Sequence, residues 1–447
     1  MNNPDLLLHS KHSDMIDALQ RLLRIDSTKQ PAQADAPFGP GIRQALEQML
    51  EEAATLSLPC VNVDNYAGFV EIGSGEETVG VLVHLDVVPP GLGWTFPPFG
   101  GTIQDGKIVG RGAMDNKGPA IAALFALWAV CNSGASLTRK IRLIFGCDEE
   151  SGWADIDYYK QKYPMPDFGF SPDAQYPIIN GEKSILHLEL SKKFVPAEGP
   201  RILSLQSGNA VNMVPDHACC VLADGSLAEG DTYLIKDDAV ELHTYGVSAH
   251  GSTPWQGKNA VFPLLSMLEG LKLCGDGADF ASLLYRWFYN DFYGESLGID
   301  CSDDATGRLS VNLGRLSLDE SGATAGVDIR HPLSVPKEQI LQQLEAMMAP
   351  FGIQIRVLNS LTGLYIPPND ELIVALSKAY EEKNHQRSHC ISIGGATYAR
   401  SLKKGVAFGP LMPGQTDCAH RSNESYSLDR LLIDAQTIAA ALIILAS

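Results

Sequence analysis

The pattern of apolar and polar positions along the chain predicts helices first and strands later. In the first 60 residues, apolar side chains recur at helical spacing, from Met15 to Leu23 and again over residues 42–54. From Asn62 the pattern changes to short strands separated by glycine and aspartate turns. The continuous β-branched and apolar run of residues 78–83 is typical of a buried central strand, and residues 140–145 form another buried strand. The N-terminal part is therefore predicted to be helical and to lead into a sheet.

The order of the later elements predicts an α/β layer interrupted by an insertion. Pro119 opens an alanine-rich helix between the two buried strands, at the helix position where proline is best tolerated. Over residues 184–362 the pattern alternates strands with amphipathic helices, such as residues 260–273 and 337–348. After residue 362 the α/β pattern returns. We predict a main α/β domain of residues 1–183 and 363–447, with residues 184–362 inserted as a second domain.

Composition and charge restrict the location and the partners of the protein. Fifty-three acidic against 34 basic residues give the 447-residue chain a net charge of −19, which repels phosphate backbones and argues against nucleic-acid binding. No apolar run approaches the roughly 20 residues of a membrane helix, and the N-terminus lacks a secretory signal. Nine cysteines without CxxC spacing indicate reduced thiols. We expect a cytoplasmic protein without membrane contact.

Polar side chains of metal-binding type follow the predicted strands. His84 and Asp86 come directly after the first buried strand, where their spacing points both to one face, and a carboxylate there can fix the tautomer of a ligating imidazole. Further metal-binding residue types are Glu149, Glu150 and Asp173 after later strands, Asp115 at the start of the Pro119 helix, and His420 in the segment 414–420. Taken alone, Asp115 could be a helix cap and the glutamate pair could be solvated surface. Together these residues suggest a hydrolytic metal site.

Three motifs in succession resemble a known enzyme family. They are His84-Leu-Asp86, Gly110-Arg-Gly-Ala-Met-Asp115-Asn-Lys-Gly118 and Asp148-Glu-Glu-Ser-Gly152. They resemble the signatures of the dinuclear zinc metallopeptidases, a family that includes aminoacylases, carnosinases and the bacterial PepV-type dipeptidases. Residues 37–41, 93–99 and 105–112 resemble the PepV-type members most. The resemblance spans nearly the whole chain and implies a catalytic domain, with a central mixed sheet flanked by helices, that carries a large inserted α+β lid domain.

The resemblance also implies a role for each polar residue of the site. His84, Asp115 and Asp173 would hold one metal ion, and Asp115, Glu150 and His420 would hold the second. Asp86 would orient His84, and Glu149 would be the general base. The ligand set suits zinc best, although manganese and cobalt also accept it. In relatives the peptide bond after the bridging aspartate is cis, which the resemblance implies for Asp115–Asn116.

Residues of the inserted segment resemble substrate-binding positions of the family. Asn212 and His250 match positions that contact the substrate, and Arg330 matches an arginine that binds its terminal carboxylate. Read without the family, Arg330 is better explained by a salt bridge to Asp328 or by a position on the surface. Gly395 resembles part of a glycine-rich turn beside the substrate. The long insertion resembles the enlarged lid of PepV-type members, which implies a monomer whose single chain supplies all groups.

The function implied is hydrolysis of short peptides, most simply unblocked dipeptides, by water activated between two metal ions. Asp173 favours this reading, because deacylases and carboxypeptidases of the family tend to have glutamate there. One alternative is an N-acyl-amino-acid deacylase, and another is an inactive protein that binds peptides in the cleft. The sequence does not select between α-, β-alanyl or D-amino acid substrates. Cys147 and Cys418 flank metal positions, but the resemblance gives them no role.

Overall fold

The computed structural model describes residues 2–223, 234–236 and 239–447. Within it the chain forms two compact units. The first unit consists of Met1–Gly181, Tyr365–Ile391 and Ala396–Ser447, and the inserted unit consists of Glu182–Leu364 and Ser392–Gly395. Each unit has a hydrophobic core of its own.

The helices and strands follow one another along the chain in the order expected of an α/β protein with an insertion. The α-helices are α1 (Pro4–Ser10), α2 (His12–Leu23), α3 (Pro40–Thr55), α4 (Lys117–Ser133), α5 (Ala154–Lys162), α6 (Val261–Glu269), α7 (Asp276–Phe288), α8 (Lys337–Met348), α9 (Glu371–Asn384) and α10 (Leu428–Ala446). The strands up to the insertion are β1 (Cys60–Val63), β2 (Ala67–Ile72), β3 (Thr78–His84), β4 (Thr102–Gln104), β5 (Lys107–Val109), β6 (Lys140–Gly146), β7 (Phe168–Ser171), β8 (Ala174–Gln175) and β9 (Ile178–Glu182). The strands that follow are β10 (Ser184–Lys193), β11 (Ile202–Ser207), β12 (His217–Ala223), β13 (Leu234–Lys236), β14 (Ala239–Tyr245), β15 (Ser302–Asp303), β16 (Gly307–Arg308), β17 (Ser310–Asp319), β18 (Gly322–His331) and β19 (Gln354–Leu361). The last strands are β20 (Leu364–Tyr365), β21 (Cys390–Ile393), β22 (Lys404–Ala407), β23 (Pro410–Leu411) and β24 (Ser425–Ser427).

A nine-stranded mixed sheet is the centre of the first unit. Its strand order is β1-β2-β6-β3-β7-β22-β9-β20, and β21 pairs with β9. Strands β6, β3, β7 and β22 run parallel, whereas β2 is antiparallel to β6. All residues of β3 are buried, as its continuous apolar run predicted. Polar residues that follow the central strands are thereby brought to one edge of the sheet.

Helices pack against this sheet and bury it. Helix α4 follows the predicted alanine-rich segment but begins at Lys117, so that Pro119 lies in its first turn, and most of its residues are buried. Helix α10 begins after Ser427, whose side chain accepts a hydrogen bond from the backbone N–H of Arg430. A central mixed sheet flanked by helices was predicted for this domain, and the prediction is confirmed.

The inserted unit is an α+β structure. Its eight-stranded sheet has the order β13-β14-β12-β11-β17-β18-β10-β19. The described pairings are antiparallel, and β17, β18 and β10 form the longest ladders. Apolar residues of α6, α7 and α8 are buried in one core with the inward-facing residues of the sheet. This confirms the predicted α+β insertion. Over the described ranges, no helix combines the length and the apolar character needed to cross a membrane.

Candidate functional site

The ends of three parallel strands bring the predicted site residues of the first unit together. His84 at the end of β3 lies in register with Gly146 at the end of β6, and β7 runs parallel to β3 on its other side. Side chains that follow parallel strands share the carboxyl edge of the sheet, where α/β proteins place their ligands. Glu149, Glu150 and Asp173 therefore converge on His84.

Five side chains form two groups that share Asp115. In one group, Nε2 of His84 lies 3.0 Å from Oδ1 of Asp115 and 3.5 Å from Oδ1 of Asp173. In the other, Nε2 of His420 lies 3.0 Å from Oδ2 of Asp115 and 3.0 Å from Oε1 of Glu150. Each oxygen of the Asp115 carboxylate thus faces a different imidazole. The structure brings together all five residues that the sequence predicted as ligands.

Asp86 contacts His84 and the glutamate pair at the same time. The backbone carbonyl of Asp86 lies 3.0 Å from Nδ1 of His84, which leaves Nε2 to face the carboxylates. The Asp86 carboxylate is farther from Nδ1, at 3.5 Å. It accepts hydrogen bonds from the backbone N–H groups of Glu149 and Glu150 instead, at 3.2 and 3.1 Å. Nδ1 of His84 is thus nearest to the main chain of Asp86, and the carboxylate, the group expected to orient the ring, lies farther away, at 3.5 Å against 3.0 Å.

Asn116 connects the end of β3 with the segment that follows β7. The sequence did not predict this role. Its Nδ2 donates to Oδ1 of Asp173 at 2.8 Å and to the carbonyl of Pro172 at 2.7 Å. Its Oδ1 accepts from the backbone N–H of His84 at 3.3 Å. The Asp115–Asn116 peptide bond is cis, as the resemblance implied. Asn116 therefore holds Asp173 beside His84.

A second residue missed from the sequence is Glu424. Its side chain is fully buried and pairs with Arg111, which is also buried, at 2.7 Å. The carboxylate accepts further hydrogen bonds from the backbone N–H groups of Gly112, Met114 and Asp115. Its sequence neighbourhood is an ordinary polar segment that gives no sign of burial. A buried glutamate thus fixes the loop that presents Asp115.

The carboxylates of the site carry more negative charge than the two histidines can balance. Burial and the nearby Asp173 carboxylate raise the pKa of Glu149 well above its usual range. Burial and Asp115 raise the pKa of Glu150 to about 7. Burial also raises the pKa of Asp173 to about 6, although His84 opposes the shift. Imidazole and carboxylate are donors that zinc, manganese and cobalt accept, so the residues fit two divalent cations in both donor type and charge.

The predicted substrate residues lie in the inserted unit, in two neighbouring groups. The backbone carbonyl of Asn212 accepts from the N–H of Gly251 at 2.7 Å, which places Asn212 beside His250. The backbone N–H of Ser252 donates to Nδ1 of His250 at 3.2 Å. Oγ of Ser252 lies 2.6 Å from the same nitrogen and can also donate to it. With Nδ1 accepting both bonds, the neutral ring carries its proton on Nε2. His250 can therefore donate a hydrogen bond from Nε2.

Arg330 forms the salt bridge that the sequence reasoning left as an alternative. Its Nε and Nη2 donate to the two oxygens of Asp328 at 2.7 and 2.9 Å, and both residues are buried. Its Nη1 donates to the carbonyl of Gly394 at 2.7 Å. These bonds use three of the five N–H groups of a guanidinium. The salt bridge and a role in binding a carboxylate are therefore compatible.

The two glycines of the predicted turn differ in how closely other residues approach them. A Cβ on Gly394 would lie 2.7 Å from Cβ of Ser252, whereas one on Gly395 would lie 3.4 Å from Cδ1 of Ile393. The close approach therefore concerns Gly394 more than the predicted Gly395.

Cys147 is fully buried, and burial raises the pKa of its thiol well above the usual range. Cys418 donates to the carbonyl of Ser425 at 3.5 Å.

Comparison with known proteins identifies the family. The sequence profile described as Peptidase family M20/M25/M40 matches residues 80–443. Two relatives bear the name "Putative dipeptidase". YtjP of Bacillus subtilis (strain 168) is 37% identical over 453 aligned residues, with 97% of each chain covered. SH1171 of Staphylococcus haemolyticus (strain JCSC1435) is 33% identical over 447 residues, with 95% of each chain covered.

Solved structures share the fold. Human carnosine dipeptidase 1 superposes with a TM-score of 0.59 at 16% identity, covering 99% of both chains. The di-peptidase Dug1p from Saccharomyces cerevisiae gives a TM-score of 0.61 at 15% identity, covering 99% of this chain and 98% of its own. The family resemblance read from the three motifs is confirmed, while a specific relation to PepV-type members stays a prediction. By profile and by relatives, this chain belongs to peptidase family M20/M25/M40.

Proposed function

We propose that this peptidase hydrolyses unblocked dipeptides at a centre of two divalent cations, with Glu149 as the general base. The observation that supports the proposal most is the position of Asp115. One of its carboxylate oxygens lies 3.0 Å from Nε2 of His84, and the other lies 3.0 Å from Nε2 of His420. A carboxylate shared between two imidazole-containing groups is the arrangement that a bridging ligand needs.

Each ion would have a ligand set drawn from these groups. His84, Asp115 and Asp173 would hold one, and Asp115, Glu150 and His420 would hold the other. Zinc suits these donors best, with manganese and cobalt as further candidates. Two such ions would supply positive charge that polarises a scissile carbonyl and lowers the pKa of a shared water.

Glu149 has the properties of a proton carrier at this site. It belongs to neither ligand group, yet its neighbour Glu150 does, and the Asp86 carboxylate holds the backbone of both. The Glu149 carboxylate therefore lies outside the ligand groups, as a general base beside two metal ions requires. In the proposed reaction Glu149 takes a proton from the attacking water and passes it to the nitrogen of the leaving amine.

We assign the substrate contacts to residues of the inserted unit. Nε2–H of His250 would donate to the carbonyl oxygen as negative charge develops on it. Arg330 would bind the terminal carboxylate of the substrate through N–H groups that Asp328 and Gly394 do not use. Asn212 and Gly395 would line the same substrate.

The substrate class and the assembly are further parts of the proposal. Asp173 stands where the family resemblance associates aspartate with cleavage of dipeptides, which favours a dipeptidase over an N-acyl-amino-acid deacylase. Since one chain carries both the ligand groups and the substrate residues, we propose a monomer that is active by itself. Gel filtration with an activity assay across the eluted peak tests this, and activity confined to a dimer would contradict it.

The test of the function compares two substrates on the same metal-loaded protein. Full-length protein is freed of metal with a chelator and reloaded with zinc, manganese or cobalt. It is then assayed on an unblocked dipeptide and on the matching N-acetyl amino acid. We expect hydrolysis of the dipeptide that disappears with the chelator. Faster hydrolysis of the N-acetyl compound would indicate a deacylase, and no product with any of the three metals would indicate a binding protein.

A further inference from the structure

A cysteine, a glutamate and a histidine share one face of the sheet in the inserted unit. Strands β12 and β14 are antiparallel neighbours, with Cys219 directly opposite His243 and Val221 opposite Glu241. Because alternate residues of a strand share a face, Cys219, Glu241 and His243 point to the same side. The opposite side carries Cys220 and Leu242, which are buried in the core. The three polar side chains thus lie on the outer face of the sheet.

The ligand atoms of these side chains converge. Sγ of Cys219 lies 3.4 Å from Oε1 of Glu241 and 4.0 Å from Nε2 of His243. Nε2 of His243 lies 3.2 Å from Oε1 of Glu241. Bond lengths to zinc of about 2.3 Å for sulfur and about 2.0–2.1 Å for nitrogen and oxygen place tetrahedral ligand atoms about 3.3–3.6 Å apart. The observed spacings therefore need only a small adjustment to surround one ion.

A second histidine orients the first. Nε2 of His217 lies 3.0 Å from Nδ1 of His243, and the two rings stack with centroids 5.3 Å apart. When Nδ1–H of His243 donates to His217, the lone pair of Nε2 is directed at Cys219 and Glu241. Metal-binding histidines commonly donate their other ring N–H to a carboxylate, a carbonyl or water, which fixes the tautomer and the ring orientation, and the ring nitrogen of His217 is an acceptor at that position. His217 therefore supplies the support that a ligating His243 would need.

We propose that Cys219, Glu241 and His243 form a third metal site, for a single zinc ion, on the inserted unit. The thiol of Cys219 loses its proton to solvent as the sulfur–metal bond forms, while neutral His243 and ionised Glu241 bind without further change. Three protein ligands leave a fourth position for water. The thiolate selects zinc over magnesium, calcium or manganese, which prefer oxygen ligands. The proposal is independent of the proposed dipeptidase activity, whose ligand groups contain no sulfur.

Cobalt is the probe that separates this site from the other two groups. A Co²⁺ ion bound to thiolate shows a charge-transfer band in the near ultraviolet, which imidazole and carboxylate ligands alone do not produce. Metal-free, full-length protein in a reducing agent that does not bind metals is titrated with Co²⁺ alone. We expect the band to appear and to be displaced when Zn²⁺ is added. Absence of the band with Co²⁺ in excess would overturn the proposal.

Variants assign the band to these residues. Cys219→Ser should abolish it, whereas Cys131→Ser, which removes an exposed thiol from the first unit, should leave it unchanged. His243→Gln should weaken Co²⁺ binding at this site at least tenfold, and His217→Gln should weaken it by about tenfold without removing the band. Persistence of the band in Cys219→Ser, or unchanged affinity in His243→Gln, would refute the site. Dipeptide hydrolysis measured on the same samples reports separately on the proposed function.

Discussion

The backbone N–H of Asp115 donates a 3.0 Å hydrogen bond to the buried carboxylate of Glu424. The same carboxylate is paired with the guanidinium of Arg111 and accepts from the N–H groups of Gly112 and Met114. The loop that carries Asp115 is therefore held by one buried ion pair. The two oxygens of Asp115 can face two imidazoles because this loop is fixed.

Replacing Glu424 with glutamine should destabilise the first unit and weaken metal binding. The variant leaves Arg111 buried without a charged partner, which costs about 3–5 kcal/mol of unfolding free energy. Because the loop then holds Asp115 less firmly, metal affinity should fall by about 10–100-fold. Chemical unfolding and metal titration measure the two effects.

The matched control for this variant is Glu77→Gln. Glu77 also pairs with an arginine, Arg139, but on the surface of the same unit. An exposed ion pair contributes only about 0–1 kcal/mol, so this variant should be close to the original protein in both measurements. If Glu424→Gln behaved like Glu77→Gln, the buried pair would not be positioning Asp115.

The substitution Glu149→Gln should stop turnover without removing metal. Glu149 lies outside both ligand groups, so its loss removes proton transfer but no ligand. General acid–base catalysis contributes about 10²–10⁴-fold, and kcat should fall by at least that factor. Glu150→Gln is the matched comparison, because it removes a ligand from the next position and should lower the metal content. Elemental analysis and kcat are measured on the same preparations, and a Glu149→Gln enzyme with normal kcat would disprove the assignment.

Helices and strands could be predicted wherever apolar residues recur at regular spacing in the sequence. Helix α8 was predicted at residues 337–348, where the structure places it. Helix α6 ends at Glu269, short of the predicted residue 273, because Gly270 follows it. Helix α5 was not predicted, since only three of its nine residues are buried and most of its side chains are polar. A helix that lies on the surface leaves little apolar pattern to read.

Residues of the site could be predicted where the type of side chain itself indicates metal binding. His84 and Asp173 were recognisable because metal-binding side chains follow apolar strands there, whereas the ligand role of Asp115 was implied by the family resemblance. Glu424 and Asn116 were not, because they act largely by hydrogen bonds to backbone groups, and no residue pattern encodes which N–H or carbonyl they will meet. The cluster around Cys219 was missed for a related reason, since it depends on the register between two strands.

Exchanging Arg330 for lysine should affect substrates with a free carboxylate far more than amidated ones. Lysine keeps the positive charge opposite Asp328 but loses the planar pair of N–H groups that can bind a carboxylate. Hydrogen bonds to a charged group contribute about 1.5–3 kcal/mol, so kcat/KM for a free dipeptide should fall by about 10–100-fold. The C-terminally amidated dipeptide is the internal control and should lose little. An equal loss on both substrates would show that Arg330 acts through Asp328 alone.

Asp328→Asn should destabilise the inserted unit in a way that depends on pH. Burial alone would raise the pKa of Asp328, but Arg330 and His187 lower it to about 2. The unfolded chain has a pKa of about 3.9 for aspartate, so the folded state binds the proton less tightly. The ionised carboxylate therefore contributes its stability above about pH 4, and this contribution is lost as the pH falls towards about 2. The shift corresponds to about 2–3 kcal/mol.

Urea unfolding of the original protein and the variant at several pH values measures this dependence. At neutral pH the variant should be about 3–5 kcal/mol less stable, because Arg330 is left buried without its partner. The difference should narrow by about 2 kcal/mol as the pH falls from about 5 to 2, where Asp328 itself becomes half protonated. Asp216→Asn, at an exposed position of the same unit, should change stability by less than about 0.5 kcal/mol throughout. A difference that stayed constant down to acid pH would mean that the charge of Asp328 does not stabilise Arg330.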